Sequence, residues 1–431
     1  MYSIATDVED SVTRMRAMAR AQQQKPGYSI DRYFYRSHVT YRHELESMVF
    51  RSWLYAGHES QIPNPGDFFQ YEVGEDAFII SRDADGKVHA LVNSCRHRGA
   101  RVCADPEGNR KTFVCPYHGW TYDCGGGLRS ARHMDRLPAF KAEQFGLREV
   151  RVVLRHGMIF MNCDPQAFDF NHSLDGVEHA LAAYDLGSAR VAHRQVYKVD
   201  ANWKFALENY VECYHCATSH RSYARMHTIK ELGINIAHLR AALYERSEQQ
   251  TGVRDLTRDF EQIYAAAPGF GACAYCSRYA LYEGFVTGSR DGKPVAPLMG
   301  AFKGYDGGAG DFQFGPLCFM LNYPDHCVLY RFTPRSLTAT DMEIVWFVNG
   351  NAVEGRDYRK EELIWLWHNT TLEDEFIIKR NSEGANSRFY EPGPYHPEFE
   401  QISIKFISWY LAALQQQEGG STHNPSLRSA S

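Results

Sequence analysis

Cys95, His97, Cys115 and His118 stand as CxH and CxxH, with seventeen residues between the two halves. Each short turn offers one thiolate and one imidazole, so two kinds of ligand arrive in matched pairs. That donor set is the ligation of a [2Fe-2S] cluster of the Rieske type, where two histidines replace two cysteines on one iron. Neutral imidazoles remove negative charge, and such a cluster is reduced more readily than an all-cysteine one. Zinc is the rival reading, but zinc modules pair like with like, as CxxC and HxxxH. Pro116 restricts the second turn, while Gly99 and Gly119 allow tight loops around a bulky inorganic group.

About a hundred residues later, Asn202 to His220 reads NWKFALENYVECYHCATSH. On a helix, Glu208, Glu212 and His215 fall at i, i+4 and i+7 and share one stripe, with Asn209 beside them. Trp203, Phe205, Leu207 and Val211 flank the stripe, and polar groups among them are costly to bury without partners. A metal ion supplies one; otherwise Glu212 is an ordinary glutamate on a solvated face. His215 and His220 are five apart, about 140° around an unbroken helix. They share a metal only if the helix breaks, and the expected break lies near Ala217 to Ser219, where Thr218 and Ser219 compete for backbone hydrogen bonds. Two imidazoles then need a carboxylate to complete the facial triad of a non-haem Fe(II) centre. A helical stretch expected over about 357 to 382, on the spacing of Leu363, Ile364, Trp367, Thr371, Phe376 and Ile378, carries Glu373, Asp374 and Glu375. Spacing alone does not choose among these three.

The segments NSCRHRGA and FVCPYHGWTYD resemble the cluster-binding segment of Rieske non-haem iron oxygenases, the oxygenase components of multicomponent systems, and the similarity runs over about residues 30 to 415. In that family TtxxDxxIxxxNxxGxxSxxYxPGPY carries an iron ligand at its Asp. TTLEDEFIIKRNSEGANSRFYEPGPY aligns Asp374 with it, so the implied iron ligands are His215, His220 and Asp374. Asn381-Ser382-Glu383 departs from the Asn-Gln that many relatives show before the glycine. Glu212 occupies the place of an acidic bridge between the two metal centres, hydrogen-bonded to a cluster histidine on one side and an iron histidine on the other. With its neighbour Asn209 it completes the catalytic candidates.

The resemblance implies a Rieske cluster, mononuclear Fe(II), dioxygen, and electrons from NADH or NADPH through a separate flavin and iron-sulfur reductase. It also implies a homotrimer in which the cluster of one subunit faces the iron of the next. No GxGxxG fingerprint follows a strand here, in keeping with a reductase on another polypeptide. Glu at the bridge, the chain length and the ending NSRFYEPGPY with FISWY beyond it are most similar to oxygenases of glycine betaine, choline, stachydrine and carnitine. The expectation is a monooxygenase that hydroxylates, and N-demethylates, a small quaternary ammonium compound such as a betaine. Such a cation favours aromatic faces, each worth roughly 0.5 to 2 kcal/mol, and 26 Tyr, 25 Phe and 7 Trp supply rings without singling out any one. The alternatives are a ring-hydroxylating oxygenase acting on an aromatic acid and, in another class, a Rieske-type electron carrier without oxygenase activity.

The elements that must position these residues read as an α+β chain. Residues 1–48 form an N-terminal helical segment expected to pack on the catalytic domain. Residues 49–165, with alternating runs DFFQYEV, DAFIISRD and VRVVLRHGMIFMNC, form a small antiparallel β domain presenting the cluster on its loop tips. The catalytic domain, 166–417, shows strand runs ARVAHRQVYKV, YCSRYALYEGFV, LCFMLNYP, CVLYRFTP and MEIVWFVNG, a loop-rich stretch at about 221–272, and the Asp374 helix. It resembles a helix-grip fold, an antiparallel sheet with helices. Residues 418–431 read as a mobile tail. The 431 residues, 44% hydrophobic, suffice for two or three domains. A formal charge of −5 gives no reason to expect nucleic acid, and no apolar run is long enough to span a membrane. With no secretory signal recognised, a cytoplasmic protein is expected and its eleven cysteines read as thiols and ligands. The CxxC pairs Cys213/Cys216 and Cys273/Cys276 are expected to pack as small apolar residues.

Overall fold

The computed structural model describes residues 10–174, 176–231, 233–264 and 273–415. Its first sheet has seven antiparallel strands in the spatial order Leu54–His58, Met158–Asn162, Glu149–Arg155, Val88–Val92, Asp76–Arg82, Asp67–Val73 and Glu107–Asn109. The alternating runs pair in register, with Phe69 opposite Ile80 and Tyr71 opposite Phe78, because a one-residue slip would turn every buried side chain outward. Between Asp76–Arg82 and Val88–Val92 the chain reverses on Asp83, whose Oδ1 accepts from the Asp85 and Lys87 amides at 2.9 Å each, with Gly86 at φ +83°. A three-stranded sheet, Thr112–Val114, Thr121–Asp123 and Leu128–Ser130, lies on this body. Phe68, Ile79, Leu91, Phe113, Trp120 and Tyr122 form a core together with Cys95 and Cys115.

The second sheet is also antiparallel and seven-stranded: Ala189–Val199, Ala339–Asn349, Cys327–Ser336, Cys318–Asn322, Gly308–Phe314, Ala274–Ala280 and Phe260–Gln262. Strand Ala339–Asn349, second from one edge, buries Ile344 through Val348 without alternation, since both of its faces are covered. The long helix Lys360–Ala385 buries Leu363, Leu366, Trp367, Thr370, Thr371 and Ile378, a three-and-four spacing that aims one stripe inward. Helix Val12–Gln23 lies against helix Gln401–Ala413. Fully buried Glu44 ties three segments together, accepting from Trp203 Nε1 at 2.7 Å, Lys204 Nζ at 2.6 Å and the Tyr410 hydroxyl. No described helix is long and apolar enough to cross a membrane.

In its secondary structure the chain differs from the sequence reading in four places. The stretch expected to be loop-rich holds a 19-residue helix, Gly233–Thr251, and the short strand Phe260–Gln262. That helix buries Leu243, Ser247 and Thr251, so its inward stripe is mostly hydroxyl and hydrophobic periodicity hardly registers it. Strand Gly308–Phe314, GAGDFQF, has low intrinsic strand preference and is imposed by its two neighbours. The long helix starts at Lys360 and ends at Ala385, three residues later at each end than expected. The segment Trp203–Tyr210 is helical, but the helix stops there instead of continuing to Ala217. The tail from 418 lies outside the described residues.

Candidate metal centres

The two loops that carry the Cys/His pairs are built alike. In the first, the Cys95 amide donates to Ala100 O and the Gly99 amide returns to Cys95 O, both at 2.8 Å. In the second, the Cys115 amide donates to Trp120 O at 2.8 Å and the Gly119 amide to Cys115 O at 3.0 Å. Gly99 and Gly119 sit at φ +78° and +72°, which a side chain would disfavour. Both thiols are buried, both imidazoles are exposed, and the Nδ1 atoms of His97 and His118 face each other at 3.2 Å. Trp120 stacks on His97 with ring centroids 5.0 Å apart. Tyr122 accepts from the Arg96 amide at 3.1 Å, which directs its own proton to Cys95 Sγ at 3.2 Å. Burial raises the Cys115 thiol above its ordinary range, so thiolate there calls for a cation beside it. Two inner sulfurs and two outer nitrogens with a donor already aimed at sulfur fit a [2Fe-2S] group with mixed ligation.

Helix Trp203–Tyr210 is capped by Asn202, whose side chain accepts from the Lys204 amide at 3.2 Å. It ends because the Glu212 carboxylate accepts from the Tyr214 and His215 amides, taking hydrogen bonds that a continuing helix would need. His215 therefore precedes the short helix Cys216–Ser219, and His220 lies in the joint before Arg221–Ala224. Two breaks bring the imidazoles together, with their Nε2 atoms 3.1 Å apart. Asp374 Oδ1, from the long helix, stands 2.9 Å from His220 Nε2 and 3.5 Å from His215 Nε2. These three donors lie within 4.8 Å of one another.

The remaining nitrogens are held by carboxylates: His215 Nδ1 contacts Glu212 Oε1 at 2.5 Å and His220 Nδ1 contacts Glu373 Oε2 at 2.9 Å. Such outer carboxylates fix a histidine's tautomer and turn its Nε2 lone pair toward a metal. Burial opposes charge on His215, but Asp374 and Glu212 outweigh it and lift the imidazole to about 9. Burial likewise opposes the Asp374 carboxylate, and the two histidines override it and hold it below the usual range. Three acidic groups around two imidazoles make a strongly cation-attracting pocket, and its donors fit a mononuclear Fe(II) with open positions. A cavity of about 450 Å³ adjoins them.

Of the residues singled out in the sequence, His215, His220, Asp374, Glu212 and Asn209 meet here; Asn209 Nδ2 is 3.4 Å from His215 Nε2. Glu208 does not. With the helix ended at Tyr210 it faces the other way, accepting from the Tyr35 hydroxyl at 3.0 Å and from the Tyr395 hydroxyl. Burial raises it to about 7. Cys213 and Cys216, expected as packed thiols, are instead joined as a disulfide beside His215, an i, i+3 pair that the turn brings into bonding range. Cys273 and Cys276 are buried free thiols, raised by burial to about 12 and about 11. Sequence reasoning missed the hydrogen bond that His220 donates to Glu373, since three adjacent carboxylates look alike until a helix spreads them by about 100° each.

The profile of the Rieske [2Fe-2S] domain matches residues 52–141, and that of the ring hydroxylating alpha subunit (catalytic domain) matches residues 186–416. Over 386 residues, covering 89% of this chain and 88% of the other, 32% of positions are identical to the glycine betaine monooxygenase oxygenase subunit of Pseudomonas aeruginosa. The biphenyl 2,3-dioxygenase subunit alpha of Rhodococcus jostii is 38% identical over 196 residues, which covers 44% of this chain and 43% of that one. A quaternary ammonium Rieske monooxygenase solved with L-carnitine shares the fold, with a TM-score of 0.67 at 20% identity over 95% of this chain and 100% of that one. Two metal-competent donor sets on the matched α+β body, and a relative similar over nearly the whole length, lead to one conclusion: the chain belongs to the Rieske non-haem iron oxygenases, enzymes that carry a [2Fe-2S] cluster and a mononuclear iron.

Proposed function

We propose that this chain is the terminal oxygenase of a multicomponent monooxygenase that hydroxylates, and thereby N-demethylates, a small quaternary ammonium compound such as a betaine. The observation that carries the substrate class is the 32% identity to a glycine betaine monooxygenase oxygenase subunit across 89% of the chain, whereas the match to a biphenyl dioxygenase covers 44%. An N-methyl carbon that is hydroxylated leaves as formaldehyde, releasing a tertiary amine and a proton. Electrons come from NADH or NADPH through a separate flavin and iron-sulfur reductase, and the protein works in the cytoplasm as a homotrimer.

In this reading residues 49–165 form the cluster domain and 166–417 the catalytic domain. Cys95, His97, Cys115 and His118 hold the cluster; His215, His220 and Asp374 hold the iron. When bound, the cluster relays single electrons and the iron activates dioxygen. Glu212 keeps the proton on His215 Nδ1, so that Nε2 remains a donor, and its position suits a bridge to a neighbouring subunit's cluster histidine. Glu373 does the same for His220. Asn209 offers its amide at the edge of the cavity, where it can orient what enters. The test supplies a compatible reductase, NADH and dioxygen, then assays formaldehyde from glycine betaine and L-carnitine and oxygenated product from benzoate. Benzoate oxygenation with neither formaldehyde nor trimethylamine released from either betaine would overturn the substrate class.

A further inference from the structure

The cavity beside the iron ligands has one wall made by the second sheet. Antiparallel register settles which side chains share that wall: Tyr275 lies opposite Gln313, Asp311 opposite Leu321, Gln313 opposite Phe319, and Phe319 opposite Tyr330. All six line the cavity, and Asp311 is the acid among them. Asp311 keeps part of its surface only because it borders that space. Among the described residues no cationic side chain pairs with it, whereas Glu261 pairs with Lys405, Glu231 with Lys230 and Glu212 with His215, and the lining carboxylate Glu398 is exposed to solvent rather than set in the wall.

Burial raises the Asp311 carboxyl to about 7, with the Phe312 amide alone opposing. Besides burial, its charge helps raise the phenols of Tyr210, Tyr223, Tyr275 and Tyr279. An acid in an aromatic wall is unfavourable on its own and favourable once a cation sits beside it. A quaternary ammonium has no N–H to donate. It asks only for negative charge and ring faces, which this wall supplies. The carboxylate of an aromatic acid would be repelled.

We propose that Asp311 is the counter-anion for the quaternary nitrogen of the substrate and the residue by which the cavity selects a cation over a neutral or anionic compound of the same shape. The inference rests on the quaternary ammonium reading above. It makes Asp311 a substrate-binding residue on the sheet, separate from the metal-holding residues on the helices.

The test compares glycine betaine with 3,3-dimethylbutanoate, in which carbon replaces the charged nitrogen at equal shape. Dissociation constants are measured anaerobically by calorimetry on the iron-loaded protein, for the wild type and for Asp311→Asn and Asp311→Glu. The wild type is expected to prefer the betaine. Asp311→Asn should bind it about 10- to 100-fold more weakly and bind the carbon analogue equally well or better, and Asp311→Glu should restore the preference. Equal affinity of the wild type for both compounds, an unchanged preference in Asp311→Asn, or equal weakening of both ligands in that variant would each overturn the proposal; the first needs no variant to fold. If the wild type binds and turns over neither glycine betaine nor L-carnitine, the substrate class itself has failed. Betaine turnover with an unaltered preference in Asp311→Asn removes Asp311 alone.

Discussion

Lowering the pH from 7 to 5 is expected to cost the fold about 2 kcal/mol through His227 alone. This imidazole is fully enclosed. Its Nδ1 lies 2.9 Å from the Tyr223 carbonyl, which can only accept, so Nδ1 carries the proton and Nε2 accepts from the Tyr323 hydroxyl at 2.7 Å. Burial pushes the group down to about 4, with the carbonyl only partly opposing. Between pH 6.5 and 4 the unfolded chain therefore binds a proton that the folded chain refuses. Stability from this group is complete above pH 6.5 and declines as the pH falls toward 4, by about 3 kcal/mol at the acid limit and about 2 kcal/mol by pH 5. Urea unfolding at pH 7 and pH 5 would be compared for the wild type and His227→Gln, which does not titrate and keeps an acceptor for Tyr323. Other histidines titrate in both proteins, so the difference between the two losses isolates His227. The wild type should lose about 2 kcal/mol more than the variant; equal losses would refute the reasoning. Because Tyr223 stacks on His227 at 4.0 Å and lines the cavity, the cavity wall would loosen with it.

His215→Ala or Asp374→Ala should lower iron from about three to about two atoms per chain and abolish turnover while leaving the visible spectrum of the cluster intact. Loss of that spectrum would put these residues in the wrong centre. Glu212→Gln should retain both metals and slow electron transfer to the iron about 10- to 100-fold, and a normal single-turnover rate would refute the bridging role. Asp306→Ala strands the buried Arg278, which now meets both Asp306 oxygens at 2.6 and 2.8 Å. The expected cost is about 3 to 5 kcal/mol by denaturant melts, and a change below about 1 kcal/mol would show that Arg278 finds another partner.

What could be read from the sequence follows from how local each signal is. Cys95 with His97, and Cys115 with His118, declare themselves because each pair shares one loop. Strands such as Asp67–Val73 and Ala189–Val199 agree with their runs to the residue, since half-buried strands write their faces into alternation. Glu208 was misplaced by periodicity carried past Tyr210, where amide hydrogen bonds accepted by the Glu212 side chain override the helix. Asp374 needed the family pattern, because only the folded helix separates it from Glu373 and Glu375. Asp311 had no local mark at all. Its strand, with two glycines and a polar centre, exists because its neighbours pair with it, and its meaning comes from rings contributed by distant strands.

The clustered side chains of His215, His220 and Asp374 hang from helices and their joints, while Tyr275, Asp311, Phe319 and Tyr330 rise from four successive strands of the sheet opposite. On the reading proposed above, reactivity and taste are housed on different walls of one chamber. A lineage could re-tailor its diet by exchanging a single upward-pointing strand residue, leaving the oxidising apparatus untouched.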